Sequence, residues 1–293
     1  MKRILLTVGS FGIVAGVGVF AMGAMVAEGA LHPTRDKIAL VCPCVANETC
    51  EDAEVASADG TRLRAWHYMP KEPARGTILV LHGIGGSRNQ MVHISSMFLK
   101  NGYATLIPDN RGHGTSDGLV TYGVQEEADV QAWADWLIGQ KRVERLYGFG
   151  ASLGASVLLE SLNREKRFRA VVAESGYSDF AAIGKERMAR QAPAWLGWTA
   201  PAVVGSGLAW TRWRYGWDLG RASALEAVRH TQTPVFLIHG REDDKTSPEN
   251  SVRLAEADKA AQLWIVAGSH HADAWSTTGK EFEKRVLDFY AAH

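Results

Sequence analysis

The chain has 293 residues, enough for one large α/β domain or two small ones with a substantial buried core. Lysine plus arginine equals aspartate plus glutamate at 32 each, so no net field favours a polyanion, and nucleic acid is excluded as an expected partner. Hydrophobic residues make up 46% and no low-complexity tract occurs, which excludes disorder for the bulk of the chain.

Behind Met1-Lys2-Arg3, residues 4–27 carry no charge. As a helix this run would measure about 36 Å, against about 30 Å for a hydrocarbon core. The sequence therefore predicts an N-terminal transmembrane anchor or signal segment over residues 1–30. The cleavage-like sites Ala21-Met22-Gly23 and Ala27-Glu28-Gly29 are imperfect, which favours the uncleaved anchor. Lys2 and Arg3 would hold the start inside. The rest is then expected to be exported, membrane-tethered in a bacterial periplasm or at the cell exterior, and secreted if the segment is cleaved.

Cys42, Cys44 and Cys50 fall in a linker, residues 31–52. In an oxidising compartment Cys42 or Cys44 would pair with Cys50 and leave one over. No fourth ligand stands nearby, so no metal is expected.

Residues 53–57 and 62–68 flank Asp59-Gly60 and predict an antiparallel hairpin. From residue 77 the pattern changes to continuous apolar runs, as in strands covered on both faces: 77–81, 104–108, 145–149, 170–174, 234–238 and 262–266. Helical stretches at about 89–100, 124–140, 152–162, 248–257 and 279–291 alternate with them. The alternation implies a mostly parallel sheet whose ligands collect beyond the strands' carboxyl ends. Residues 177–228 break the pattern and hold five of the ten tryptophans: Trp195, Trp198, Trp210, Trp213 and Trp217. They predict a helical cap over the sheet edge. The tryptophans either anchor that cap or contribute one or two walls of an apolar substrate pocket.

The strand at 145–149 runs into Gly150-Ala151-Ser152-Leu153-Gly154. Glycines on both sides let the chain turn sharply from strand to helix and leave Ser152 exposed as a nucleophile, with the Leu153 amide beside it. An ordinary glycine-rich turn would look alike, so the remaining strand ends decide. They offer Asp243 or Asp244, then His270 or His271, in the order serine, acid, histidine.

Over residues 53–293 the sequence resembles the α/β-hydrolase superfamily. It is most similar to bacterial serine esterases and to the branch with dienelactone hydrolases and prolyl-oligopeptidase-type domains. The resemblance rests on His82-Gly83, Asp109-x-Arg111-Gly112-x-Gly114-x-Ser116, the Ser152 turn, and His239-Gly240-x-x-Asp243. It implies an α/β-hydrolase fold: a mostly parallel central sheet with an antiparallel N-terminal hairpin, helices on both faces and a helical cap. It also implies Ser152 as nucleophile, Asp243 as acid, and the amides of Ile84 and Leu153 as oxyanion donors. His82, His113, Asp109, Arg111 and Ser116 would brace turns. In relatives the base follows Gly-x-Gly; here Gly268-Ser269-His270 fills that turn, so His271 takes the catalytic register and His270 must accept a glycine's backbone geometry.

The expected activity is hydrolysis of a small-molecule carboxylic ester through an acyl-enzyme, with no cofactor. The alternatives are a peptidase or amidase on the same triad, and a non-catalytic membrane-tethered interaction module on a hydrolase scaffold. Substrate-contacting residues and oligomeric state are not legible.

Overall fold

The computed structural model describes residues 2–36, 42, 49–191, 193 and 195–293, of which 2–15 and 191 by backbone alone. It opens with helix α1 (Lys2–Leu31). Among the described residues no helix is long and apolar enough to cross a membrane, so the expected anchor finds no support there. The part of α1 with described side chains, residues 16–31, is shorter than a span and includes Glu28, which accepts from Trp210 Nε1 at 2.6 Å and from the Tyr215 hydroxyl at 2.9 Å. Cys42 and Cys50 form a disulfide with Cα atoms 6.3 Å apart; Cys44, the alternative partner, lies outside the described residues.

Strands β1 (Thr49–Ala56) and β2 (Arg62–Met69) form the antiparallel hairpin, with Ala56 opposite Arg62 across the turn at Asp59-Gly60. Then come β3 (Thr77–Leu81), α2 (Val92–Lys100), β4 (Ala104–Pro108), α3 (Glu126–Gly139), β5 (Leu146–Ala151), α4 (Leu153–Ser161) and β6 (Phe168–Glu174). After β6 the chain leaves the sheet for α5 (Phe180–Gln191), α6 (Ala200–Tyr215) and short α7 (Ala224–Val228). It returns as β7 (Val235–Gly240), α8 (Glu249–Ala257), β8 (Gln262–Val266), α9 (Ala274–Thr278) and α10 (Lys280–Ala292). Of these helices, α9 has no counterpart in the sequence expectation.

The eight strands lie in the order β1-β2-β4-β3-β5-β6-β7-β8. From β4 to β8 neighbours run parallel, while β2 meets both β1 and β4 antiparallel. Both faces are covered, which is why the middle strands read as unbroken apolar runs. On one face Leu79, Leu106 and Leu237 pack with Trp133 and Leu137 of α3 and Leu158 of α4; on the other, Ile78 and Phe149 pack with Phe98 of α2 and Phe282 and Tyr290 of α10. This is an α/β-hydrolase fold.

The helices after β6 cover the carboxyl ends of the strands together with α1, whose later half lies along α6. Gly23 and Gly207 make this possible: a Cβ on Gly23 would lie 2.6 Å from Ser206 Cβ and from the Val203 carbonyl. The tryptophans serve this junction. Trp210 meets Phe20 and Trp213, and Trp217 stacks on Tyr215, while Trp195, Trp198 and Trp213 are largely solvent-exposed.

Candidate active site

Ser152 sits at the turn between β5 and α4 with φ 54° and ψ −117°, a conformation that side chains other than glycine adopt only under constraint. The constraint is close packing. A Cβ at Gly154 would run into the Leu81 carbonyl, and one at Gly150 into the backbone of Gly154, so α4 starts pressed against β3. The Ser152 amide donates to the Glu174 carbonyl at 2.8 Å. The hydroxyl faces a pocket of about 670 Å³.

His271 brings Nε2 to 2.8 Å from Ser152 Oγ, and its Nδ1 lies 2.7 Å from Asp243 Oδ2. With Nδ1–H donating to the carboxylate, Nε2 is left as acceptor for the serine proton. Asp243 is buried and held on its other side too: the Lys245 and Thr246 amides both donate to Oδ1 at 2.9 Å, and His239 Nε2 lies 3.2 Å from Oδ2. Burial alone would raise this carboxyl, but the hydrogen bonds from His239, His271 and the Thr246 amide outweigh it and hold it far below the usual carboxylate range. Asp244, the neighbouring alternative, is exposed at the pocket rim.

His270 points away, with Nδ1 3.1 Å from the Glu242 carbonyl. It does not take the glycine-type backbone that its register suggested. The positive φ values fall on Gly268 (77°) and on Ala272 (51°), one residue after His271. Two side chains at the end of β6 fix that bend: Ser175 Oγ accepts the Ala272 amide at 3.0 Å and Glu174 Oε1 accepts the Ala274 amide at 2.9 Å. Burial pushes the Glu174 carboxyl up to about 7. Neither residue announced itself in the sequence, because an acid and a serine at the end of an apolar strand have no motif of their own.

The loop after β3 carries Ile84. No hydrogen bond engages the amide of Ile84 or of Leu153 among the described residues, so both remain available to an oxyanion. Two buried histidines shape this loop. His82 Nε2 accepts the Asn110 amide at 3.0 Å while Nδ1 donates to the Gly83 carbonyl at 2.7 Å. His113 Nε2 accepts the Gly85 amide at 3.0 Å while Nδ1 donates to the Arg111 carbonyl at 3.0 Å. These tautomers follow from the amides, which can only donate. Burial, with His113 beside it, pushes His82 down to about 4, and burial lowers His113 likewise. His113 thus braces the oxyanion loop, away from Ser152.

The bracing continues outward. Asp109 accepts the Arg88 and Thr115 amides at 2.8 Å each, and Ser116 Oγ donates to the Asp109 carbonyl at 2.7 Å. Arg111 holds Asp129 through two bonds of 2.7 and 2.6 Å and reaches Asp59 at 2.9 Å.

The pocket over Ser152 is lined by Ile84, Met91, His93, Trp275, Arg187 and Lys245 among others. None of Trp195, Trp198, Trp210, Trp213 and Trp217 reaches it, so the reading in which one or two of them wall a substrate pocket fails. The tryptophan that does line it, Trp275, stacks on His93 at 5.2 Å and stands on α9, the helix the sequence did not reveal. Among the described residues no group of His, Cys, Asp or Glu side chains is placed to hold a metal.

Comparison with known proteins agrees with this architecture. The chain is 24% identical over 242 residues to the uncharacterized protein YqkD of Bacillus subtilis, covering 80% of this chain and 77% of that protein. It is 27% identical over 270 residues to the alpha/beta hydrolase domain-containing protein WAV2 of Arabidopsis thaliana, covering 88% and 83%. Among solved structures it is similar to the Pyrococcus furiosus esterase Pf2001, with a TM-score of 0.72, 26% identity, and coverage of 90% of this chain and 98% of that one. The model of the Prolyl oligopeptidase family matches residues 89–293, well over half of the sequence and a stretch that includes Ser152, Asp243 and His271, and the chain accordingly belongs to that family.

Proposed function

We propose that this hydrolase cleaves carboxylic esters by a Ser152–His271–Asp243 triad through an acyl-enzyme. The observation that carries the reading is the unbroken line of hydrogen bonds, 2.8 Å from Ser152 Oγ to His271 Nε2 and 2.7 Å from His271 Nδ1 to Asp243 Oδ2, at the wall of an open pocket. His271 takes the Ser152 proton as Oγ bonds to the ester carbonyl carbon, and the Ile84 and Leu153 amides receive the oxyanion. Collapse breaks the bond to the alcohol oxygen, which leaves with the proton from His271. Water then gives its proton to His271 and attacks the acyl carbon, and the proton returns to Ser152 as the acid departs.

The similarity to an esterase supports the ester, and membership of a family named for a peptidase keeps an amide bond as the second reading. Both use the same triad. The test is Ser152→Ala, which should abolish labelling by a fluorophosphonate and lower hydrolysis of p-nitrophenyl acyl esters by about 10³- to 10⁶-fold; labelling that persists overturns the reading. Matched anilides beside the esters decide between ester and amide.

Export of the domain belongs to the same proposal. The Cys42–Cys50 disulfide supports an oxidising compartment. Recovery of the full chain in the cytosolic fraction with both thiols free would contradict it.

A further inference from the structure

The pocket above Ser152 is cationic on one side. Arg187 and Arg190 stand three residues apart on α5, so they share a helix face, and both line the pocket together with Lys245 from the turn after Asp243. Among the described residues the other ionisable groups lining it are Asp244, Glu174, His93 and His271. Of these, Asp244 is an exposed carboxylate at the rim, and burial pushes the Glu174 carboxyl up to about 7.

Arg190 is committed. It donates to the Asp244 carbonyl at 2.8 Å and to Glu186 Oε1 at 2.9 Å, and so ties α5 to the turn that carries the acid. Arg187 is different. Arg64, Arg88, Arg111 and Arg187 are the arginines that are not exposed among the described residues. Arg64 pairs with Glu54, Arg88 with Asp109, and Arg111 with Asp129 and Asp59. Arg187 has no carboxylate within ion-pair distance among the described residues. It also borders a separate apolar cavity of about 220 Å³, walled by Ile183, Val203, Val204 and Leu219, which the partly buried Tyr122 also lines. A guanidinium half-removed from water beside apolar walls, with its five donors unspent on a carboxylate, is unfavourable until an anion fills the fork.

Resting on the ester-hydrolase reading above, we propose that the pocket selects esters that carry an anionic group, such as a carboxylate, and that Arg187 is the residue that binds it. The neutral part of the substrate then lies between Ile84, Met91 and the His93–Trp275 stack, with the ester carbonyl at Ser152. Lys245 adds long-range attraction at the rim, and Arg190 keeps α5 at the distance from Asp243 that the two-point binding needs. This corrects the apolar preference that a tryptophan-rich cap suggests, since those tryptophans face α1 and solvent.

The anion can sit in the acid or in the alcohol portion, and two matched pairs separate these. The acid-side pair is mono(4-nitrophenyl) adipate against 4-nitrophenyl hexanoate; the alcohol-side pair is 4-acetoxybenzoate against 4-acetoxybenzamide. For the full chain, kcat/KM for the anionic member should exceed that of its neutral partner by about 10- to 100-fold in at least one pair. The pair that shows it identifies the side. Arg187→Gln should collapse that ratio toward one, Arg187→Lys should keep a reduced ratio, and Arg253→Gln, an exposed charge on α8, should leave it in place. Equal rates for both members of both pairs overturn the proposal while leaving the hydrolase reading intact, as does a preference that survives Arg187→Gln. If no ester is turned over and no fluorophosphonate label is taken up, the hydrolase reading is what fails. In that case calorimetric titration of Ser152→Ala with adipate and with hexanamide reads the subsite without turnover. Millimolar binding of adipate alone that Arg187→Gln removes supports the subsite, and no binding overturns it.

Discussion

His113 accepts the Gly85 amide, so the residue that follows Ile84, the oxyanion donor we propose, is pinned by an imidazole 28 residues further along the chain. Replacing His113 with Phe removes that acceptor while keeping a ring in the cavity. We expect kcat on a neutral ester to fall about 10- to 100-fold with KM little changed, because the amide is needed most when charge develops. His113→Gln, which can still accept, should recover part of the loss in steady-state assays, and full activity in His113→Phe would refute the bracing role.

The adjacent histidines separate cleanly. His271→Gln should cost about 10³-fold or more in kcat, whereas His270→Gln should stay within about threefold of the parent, because His270 touches only the Glu242 carbonyl. Asp243→Asn should lose about 10⁴-fold, since an amide there favours the wrong imidazole tautomer. Rates of fluorophosphonate labelling, read by gel, rank all three.

Glu174 and His82 give stability opposite pH dependences. The folded chain holds the Glu174 proton up to about 7, whereas the unfolded chain releases it near 4.5, so this contribution is full at low pH and is lost as pH rises through that window. Glu174→Gln, which keeps an acceptor for the Ala274 amide, should gain on the parent across the same range by on the order of 1–3 kcal/mol in urea unfolding. His82 works the other way. Its folded value is near 4 against an unfolded 6.5, so protonation of the unfolded chain erodes stability as pH falls from 6.5 to 4. A flat difference between Glu174→Gln and the parent would contradict the assignment.

Arg111 and Asp129 form a buried ion pair, and removing Asp129 leaves the buried guanidinium with only the partly exposed Asp59. Asp129→Ala should destabilise the fold by about 3–5 kcal/mol, while the double replacement Arg111→Met with Asp129→Leu should recover much of it. Chemical denaturation of the three proteins tests this, and additive losses in the double variant would argue against a coupled pair.

Gly23→Leu should lift α1 from α6, since the new side chain would occupy the space of Ser206 and the Val203 carbonyl. Faster amide exchange and earlier proteolysis confined to α1 and α6 are the expected readouts, and unchanged protection would show that α1 is held elsewhere.

Much of this was legible in the sequence, for physical reasons. Buried parallel strands must be apolar on both faces, so β3 through β7 stand out as runs. The nucleophile turn needs glycines where backbones touch, so Gly150 and Gly154 mark Ser152. His271 was placed by register. What the sequence concealed was whatever depends on distant pairing. Glu174 and Ser175 support the bend after His271 through contacts made only once the end of β6 lies beside the loop after β8, and no spacing encodes that. Lack of charge suits a lipid environment and a helix–helix seam alike, so the N-terminal run alone does not choose between them, and within its described half Gly23 is where α1 meets α6. The cap's tryptophans left two readings open, because aromatic content speaks of contact area and not of which surface is covered.

The end of α1 is stitched to the loop that faces the cap. Leu31 is fully buried, its carbonyl accepts the Val120 amide at 3.2 Å, and the Ala30 carbonyl accepts the Tyr122 hydroxyl at 2.9 Å. Tyr122 in turn stacks on Phe180, 4.1 Å away, the first residue of the helix that presents Arg187 to the pocket. These contacts make a load path: a pull on the N-terminal segment passes through one tyrosine and one phenylalanine into the helix above the nucleophile. Cutting the chain after Leu31 would therefore remove packing beneath a helix that walls the pocket.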